Sequence, residues 1–251
     1  TRCGRDWSSD VCSSDLSNFA NILKKCFIDL NDKFKNGEII DDKSGCKIVE
    51  IISPVLNFSM SENEEGFVDF GEIRKSPRKY IQQEKEWYLS QELSIEKVKN
   101  VKIWNSVADK NGQINSNYGY LVFGKGNYSQ FSHAYESLQK NKFSRQGIII
   151  YTRPSIQLEA NALGGSDFIC TIDQNFLIRN NKLMCIVDQR SCDCIYGLFS
   201  DLPWFVYVYK EMYKKLKETY PDLEYGTFYW HPHSLHCYER HFNLLKEIAE
   251  S

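Results

Sequence analysis

The chain has 251 residues, 42% of them hydrophobic and 25% charged, ordinary globular values that exclude wholesale disorder. Its 31 basic and 33 acidic residues leave a formal charge of -2, too near neutrality to draw it toward nucleic acid or a membrane surface. No apolar run approaches the roughly 20 residues of a spanning helix, so no transmembrane segment is expected.

Residues 1–16 (TRCGRDWSSDVCSSDL) hold no apolar stretch of the secretory kind. Asp10–Leu16 resembles the translation of a sequencing-library adapter, so 1–16 is expected to be foreign and 17–251 to hold one domain. Apolar residues at Phe19, Ile22, Leu23, Cys26, Phe27 and Leu30 have helical spacing, which Asn36-Gly37 ends. Lys47 to Val55 reads as a strand, and the polar, acidic stretch Ser59 to Gly71 as a surface loop. A helix is expected from about Arg78 to Gln91 after Ser76-Pro77. Val101 to Tyr118 reads mostly as loop, and Tyr128 to Gln139 as helix.

The second half is richer in strands. Gly147 to Thr152 is a buried strand candidate, and Phe168 to Arg179 and Lys182 to Gln189 form a hairpin turned at Asn180-Asn181. A helix is expected over Pro203 to Tyr220, and a single strand over Thr227 to Tyr238. The pattern suggests one α+β domain with a mixed sheet packed by helices. Nine cysteines, odd in number and without CxxC spacing, are expected to be reduced and mostly small buried hydrophobes.

Three segments carry candidate chemistry. Cys170 could be a nucleophile if a cation stabilised its thiolate, but the neighbouring residues offer none. Arg190-Ser191 suits a phosphate, because a guanidinium fork matches two anionic oxygens. His231 to His241 holds four histidines and one cysteine, which invites a zinc reading. No second cluster with metal spacing accompanies it, so no metal is expected. His236 and Tyr238, two apart on a strand, can enter one pocket.

Together these segments resemble the thymidylate synthase superfamily, in that family's order. The matching pieces are Asp42-Lys-Ser-Gly45, Glu84-Lys-Glu-Trp87, Ile103-Trp104, Tyr118-Gly119, Ser144-Arg145, Phe168-Ile-Cys170, Arg190-Ser-Cys-Asp193, Gly197 and His236-Cys-Tyr238. Asn115-Ser-Asn-Tyr-Gly119, Ile150-Tyr-Thr-Arg-Pro-Ser155, Ser166-Asp-Phe168 and Ser234 to Phe242 look most like the phage deoxycytidylate hydroxymethylases. The resemblance implies a homodimer joined through its sheet, acting in the cytoplasm of an infected bacterium. It further implies dCMP and 5,10-methylenetetrahydrofolate as substrates, 5-hydroxymethyl-dCMP as product, and no nucleic acid or membrane as partner.

The same resemblance assigns roles. Cys170 is the nucleophile that adds to carbon 6 of the pyrimidine, and Glu84 handles protons and positions water. Lys43, Arg190 and Ser191 hold the phosphate, with Arg145 from the second subunit; the family's paired arginines are here Arg145-Gln146. His236 and Tyr238 bind the sugar hydroxyl, and Trp104, Asp193 and Gly197 face folate. Asp201 stands where the synthases carry Asn. A carboxylate can accept from cytosine's exocyclic amine, whereas an amide suits uracil; Asp201 also reads as an N-cap for a helix starting at Pro203. Thymidylate synthase, dUMP or CMP hydroxymethylase, and an inactive nucleotide-binding relative are the alternatives. Family members continue past the position of Ser251 with a tail that closes over folate, so the C-terminus is expected to be short.

Overall fold

The computed structural model describes residues 16–161 and 166–251. The expected foreign leader lies outside the described residues except for Leu16. Helix α1 (Leu16–Lys35) buries the face anticipated from its spacing, with Phe19, Leu23, Cys26, Phe27 and Leu30 in the core. Gly37, at φ +74°, turns the chain out of it.

Strands β1 (Ile40–Asp41) and β2 (Lys47–Ile52) form a hairpin. The strand expected to run to Val55 stops at Ile52. Ser53 takes φ +56° and Pro54 has no N–H for a ladder, and β3 (Leu56–Ser59) then joins a different sheet. The stretch expected to be a surface loop is partly inside. Glu64 and Val68 are buried, and a Cβ at Gly66 would lie 2.9 Å from Pro203 Cα and N, so only glycine permits that approach.

Helix α2 (Arg78–Ser90) ends on Gln91 in the left-handed conformation. A short helix, α3 (Lys102–Val107), falls where loop was expected, and α4 (Tyr118–Phe123) begins at the last residue of that stretch. The Asn117 side chain caps α4 at Tyr120 N and also donates to the carbonyls of Trp87 and Glu92, at 3.0 Å each. Gly119 then meets α2 so closely that a Cβ would fall 1.7 Å from Tyr88 O. The Asn-Tyr-Gly run therefore works as a brace between α4 and α2. Helix α5 (Gln130–Lys140) follows, then β4 (Ile148–Ile150) and α6 (Ile156–Asn161).

Strands β5 (Thr171–Arg179) and β6 (Lys182–Gln189) make the expected hairpin. Asn180 and Asn181, at φ +49° and +60°, provide the mirror-image turn that suits strand twist. After β7 (Cys192–Asp193) comes α7 (Gly197–Thr219), which starts six residues before the expected Pro203 and carries that proline inside. The chain ends in β8 (Glu224–Pro232), β9 (Ser234–Tyr238) and α8 (Phe242–Glu250). One sheet has the order β1-β2-β9-β7, the other β3-β8-β6-β5-β4. Each mixes directions, with β7–β9 and β6–β8 parallel and the rest antiparallel. The architecture is α+β, as expected. Helix α7 is buried along most of its length, its Phe199, Phe205, Tyr209 and Met212 filling the core.

The expected single strand Thr227 to Tyr238 is two strands, β8 in one sheet and β9 in the other, broken at His233. The break has a cause. His233 N donates to Gln189 O at 2.7 Å and His233 O accepts from Ser53 N at 2.8 Å, so the corner is pinned from both sides. No described helix is long and apolar enough to cross a membrane.

Candidate active site

Cys170 ends an extended segment that leads into β5, and a β-bulge between Thr171 and Asp173 follows it at once. Bulges of this kind re-aim the adjoining side chain. Arg190 follows β6, and its N–H donates to Cys170 O at 2.9 Å. The guanidinium is fixed by Nε to Ile169 O at 3.0 Å and Nη2 to Phe168 O at 2.5 Å, and Nη2 lies 3.5 Å from Cys170 Sγ. The cation absent from the sequence around Cys170 thus arrives from the neighbouring strand. Burial pushes the Cys170 thiol above its ordinary value; Arg190 pulls it back, and Asp201 and Asp167 push it up again. The resting group is therefore a thiol whose proton must leave before attack.

Asp167 is anchored away from the sulfur. It accepts from Ser116 N at 3.0 Å and from the Ser116 hydroxyl. This joins the Ser166-Asp-Phe168 segment to Asn115-Ser-Asn117, two stretches with no sequence proximity.

Glu84 faces inward from α2. Burial pushes its acid up to about 8; the Tyr80 hydroxyl, which donates to Oε1, lowers it, and the nearby Asp201 raises it. A carboxyl near that value can give or take a proton at neutral pH. Glu84 also lines a cavity of about 440 Å³ between α2 and α7.

Asp201 is the fifth residue of α7, whose N-cap is Tyr196, so the N-cap reading is overturned: the helix has already begun. Burial raises the Asp201 acid to about 6, against the lowering effect of Gln189, while Asp193 raises it further. Gln189 Nε2 donates to Asp201 Oδ2 at 2.9 Å and to Thr171 Oγ1 at 3.3 Å. Trp230 Nε1, which can only donate, reaches Gln189 Oε1 at 2.8 Å and sets the amide's orientation. Among the described residues nothing hydrogen-bonds to Asp201 Oδ1. A Cβ at Gly197 would lie 3.7 Å from Asp193 Cβ and 4.0 Å from Asp201 Oδ2, ordinary contact distances, so the first turn of α7 passes beside both residues.

The rings of His236 and Tyr238 lie 5.0 Å apart and perpendicular. Burial lowers the His236 pKa, against Asp193 beside it, so the neutral ring is favoured. Asp193 Oδ1 accepts from Ile195 N at 2.8 Å and Tyr196 N at 3.2 Å, which fixes its carboxylate at the start of α7.

Trp104 packs on Trp87 at 4.9 Å, and its indole N–H faces Glu84, whose acid it helps to lower.

Lys43 and Arg145, the other expected phosphate ligands, are both exposed. Lys43 is exposed at the tip of the β1–β2 hairpin, whose loop is shaped by Asp42 accepting from Ser44 N at 2.8 Å and Cys46 N at 2.9 Å. Arg145 is exposed and lines a separate groove with His133, Glu136 and Lys140. Ser191 is half-buried, next to Arg190. Sequence reasoning missed Tyr80, which holds Glu84, and Gln189, which holds Asp201. Gln189 had one local signal: strand alternation turns it inward between outward Asp188 and Arg190. The seven described cysteines are all free, and Cys26, Cys185, Cys192, Cys194 and Cys237 are buried as small hydrophobes.

The thymidylate synthase family model matches residues 26–250. Over 215 residues the chain is 38% identical to the deoxycytidylate 5-hydroxymethyltransferases of Enterobacteria phages T6 and T4, covering 84% of this chain and 84% of each relative. It is 24% identical over 225 residues to a thymidylate synthase of Francisella tularensis subsp. holarctica, 85% of this chain and 79% of that one. The cysteine held beside Arg190, the buried Glu84 and the matched span together settle the class: the chain belongs to the thymidylate synthase family and is a one-carbon transferase.

Proposed function

We propose that the protein is a dCMP hydroxymethylase, using 5,10-methylenetetrahydrofolate and water to place a hydroxymethyl group on carbon 5. The observation that carries this reading is Asp201, a carboxylate inside α7 with Gln189 on Oδ2 and Oδ1 left for a base. Cytosine offers an amine donor beside an unprotonated ring nitrogen. A carboxyl that gains a proton near pH 6 accepts from the amine and donates to the nitrogen. Uracil presents a carbonyl at the amine's position and fits an amide instead. The phage relatives' names support the same reading, in which the reaction runs in the cytoplasm of an infected bacterium.

In this reading Cys170 Sγ bonds to carbon 6 and makes carbon 5 nucleophilic. The folate supplies one carbon at the oxidation level of formaldehyde. Carbon 5 takes that carbon, then loses its own proton as the carbon–nitrogen bond to the folate breaks, so that tetrahydrofolate leaves and an exocyclic methylene remains. Glu84 moves protons and positions the water that adds to this methylene, and Cys170 leaves carbon 6 as the double bond returns to the ring. Arg190, Ser191 and Lys43 hold the phosphate, His236 and Tyr238 the sugar, and Trp104, Asp193 and Gly197 the folate ring. The test is mass analysis of the product from dCMP and methylenetetrahydrofolate in water enriched in oxygen-18. A product heavier than dCMP by one labelled hydroxymethyl group is expected. A methylated product, or turnover of dUMP alone, overturns the assignment.

Arg145, exposed on a groove that Arg190 does not line, is proposed to complete the phosphate site of a second subunit in a sheet-joined homodimer. Mixing inactive Arg145→Ala and Cys170→Ser chains should recover up to about a quarter of the activity, because a random mixture makes half its dimers hybrid and each hybrid has one intact site. Demonstrated subunit exchange without recovery counts against the shared site.

A further inference from the structure

We propose that Asp188, His231 and His233 form a binding site for a divalent transition-metal ion of the zinc type. The inference is independent of the reaction proposed above, because alternation along β6 separates the two. Gln189 points inward to Asp201, whereas Asp188 points to the opposite face of the sheet.

The sequence from His231 to His241 offers four histidines and one cysteine but does not place the Asp188 carboxylate beside them. Parallel pairing of β6 with β8 supplies it, since Asp188 and His231 are register partners and their side chains stand on one face. The three ligand atoms all lie within 4.8 Å of one another. His231 Nδ1 is 2.5 Å from Asp188 Oδ1, and His233 Nε2 is 3.9 Å from the same oxygen. A tetrahedral ion with bonds of about 2.0–2.2 Å wants its ligand atoms about 3.3 Å apart, a value between those two distances. Opening the first pair and closing the second by under about 1 Å accommodates the ion. Two imidazoles and one carboxylate, with a remaining position for water, is a donor set that suits zinc and its neighbours.

The cluster is also held from outside. His231 Nε2 lies 2.8 Å from Ser53 Oγ, and donation from that nitrogen leaves Nδ1 as the lone-pair atom facing Asp188. Ser53 N donates to His233 O, and His233 N donates to Gln189 O, so one corner fixes both histidine backbones. A simple ion pair would need one histidine. Here a second imidazole nitrogen converges on the same carboxylate oxygen.

The experiment titrates the full chain, freed of metal by a chelator, with cobalt(II) and then zinc(II). One cobalt per chain is expected, with visible ligand-field bands, displaced by stoichiometric zinc and accompanied by a rise in melting temperature. His233→Ala and Asp188→Asn should each weaken cobalt binding at least tenfold, and Ser53→Ala about tenfold through loss of the supporting hydrogen bond. Circular dichroism of each variant separates lost ligation from lost folding, and His233→Asn serves if the alanine variant unfolds. Absence of micromolar binding, unchanged affinity in folded His233 variants, or a near-ultraviolet thiolate charge-transfer band showing cysteine ligation overturns the site. None of these outcomes bears on dCMP turnover.

Discussion

Cys170→Ser is expected to lower kcat by about four orders of magnitude or more, the scale of loss when a covalent nucleophile is removed. The fold gives the reason for so large an effect. The thiol is raised by burial and moderated by Arg190 3.5 Å from Sγ, so a small environmental change on substrate binding can release its proton. A serine hydroxyl, far less acidic, gains too little from the same guanidinium. Nucleotide affinity should stay within a few-fold of wild type, because Arg190 is anchored by the carbonyls of Phe168 and Ile169 rather than by the sulfur. Equilibrium binding of dCMP and single-turnover kinetics separate the two quantities. A serine variant retaining turnover within about tenfold of wild type removes Cys170 from the covalent role.

Asp201→Asn is expected to shift the ratio of kcat/KM for dCMP and dUMP toward dUMP by about 5- to 150-fold, the equivalent of about 1–3 kcal/mol for one buried group left unpaired. The helix-cap explanation no longer competes, since α7 begins at Gly197. A pH signature accompanies the switch. Free Asp201 titrates near 6, and the cytosine pair holds the proton, so the bound value is higher. Affinity for dCMP is then full below about pH 6 and falls as pH rises through the window between the free and bound values. Asn has no proton to take up, so the variant should lose that fall. Measurement of dCMP dissociation constants across pH 5 to 9 in both proteins checks it. An unmoved preference with an unchanged pH profile would leave Asp201 as only a hydrogen-bond acceptor for Gln189.

Local patterns in the sequence determined the elements that depend on short-range physics. The apolar stripe of α1, the Asn180-Asn181 hairpin and the α2 helix follow from side-chain period and turn chemistry, and each is where the pattern put it. The order of family-like segments determined the fold class and named Cys170, Glu84, Arg190, His236 and Tyr238. What needed the tertiary structure were the contacts between residues far apart in the chain. Arg190 reaches Cys170 across a strand pair, and Gln189 orients Asp201 while itself oriented by Trp230. The start of α7 also escaped local reading. A proline marks a helix start only when nothing else supports the turns before it, and here Gly66 packs against Pro203 from a loop more than a hundred residues earlier. The strand break at His233 has the same origin, hydrogen bonds from β6 and from Ser53 rather than any residue beside it. Periodicity reports the direction of a side chain along its own element; which groups meet in one pocket is decided by how the sheets and helices pack, and that depends on the whole chain.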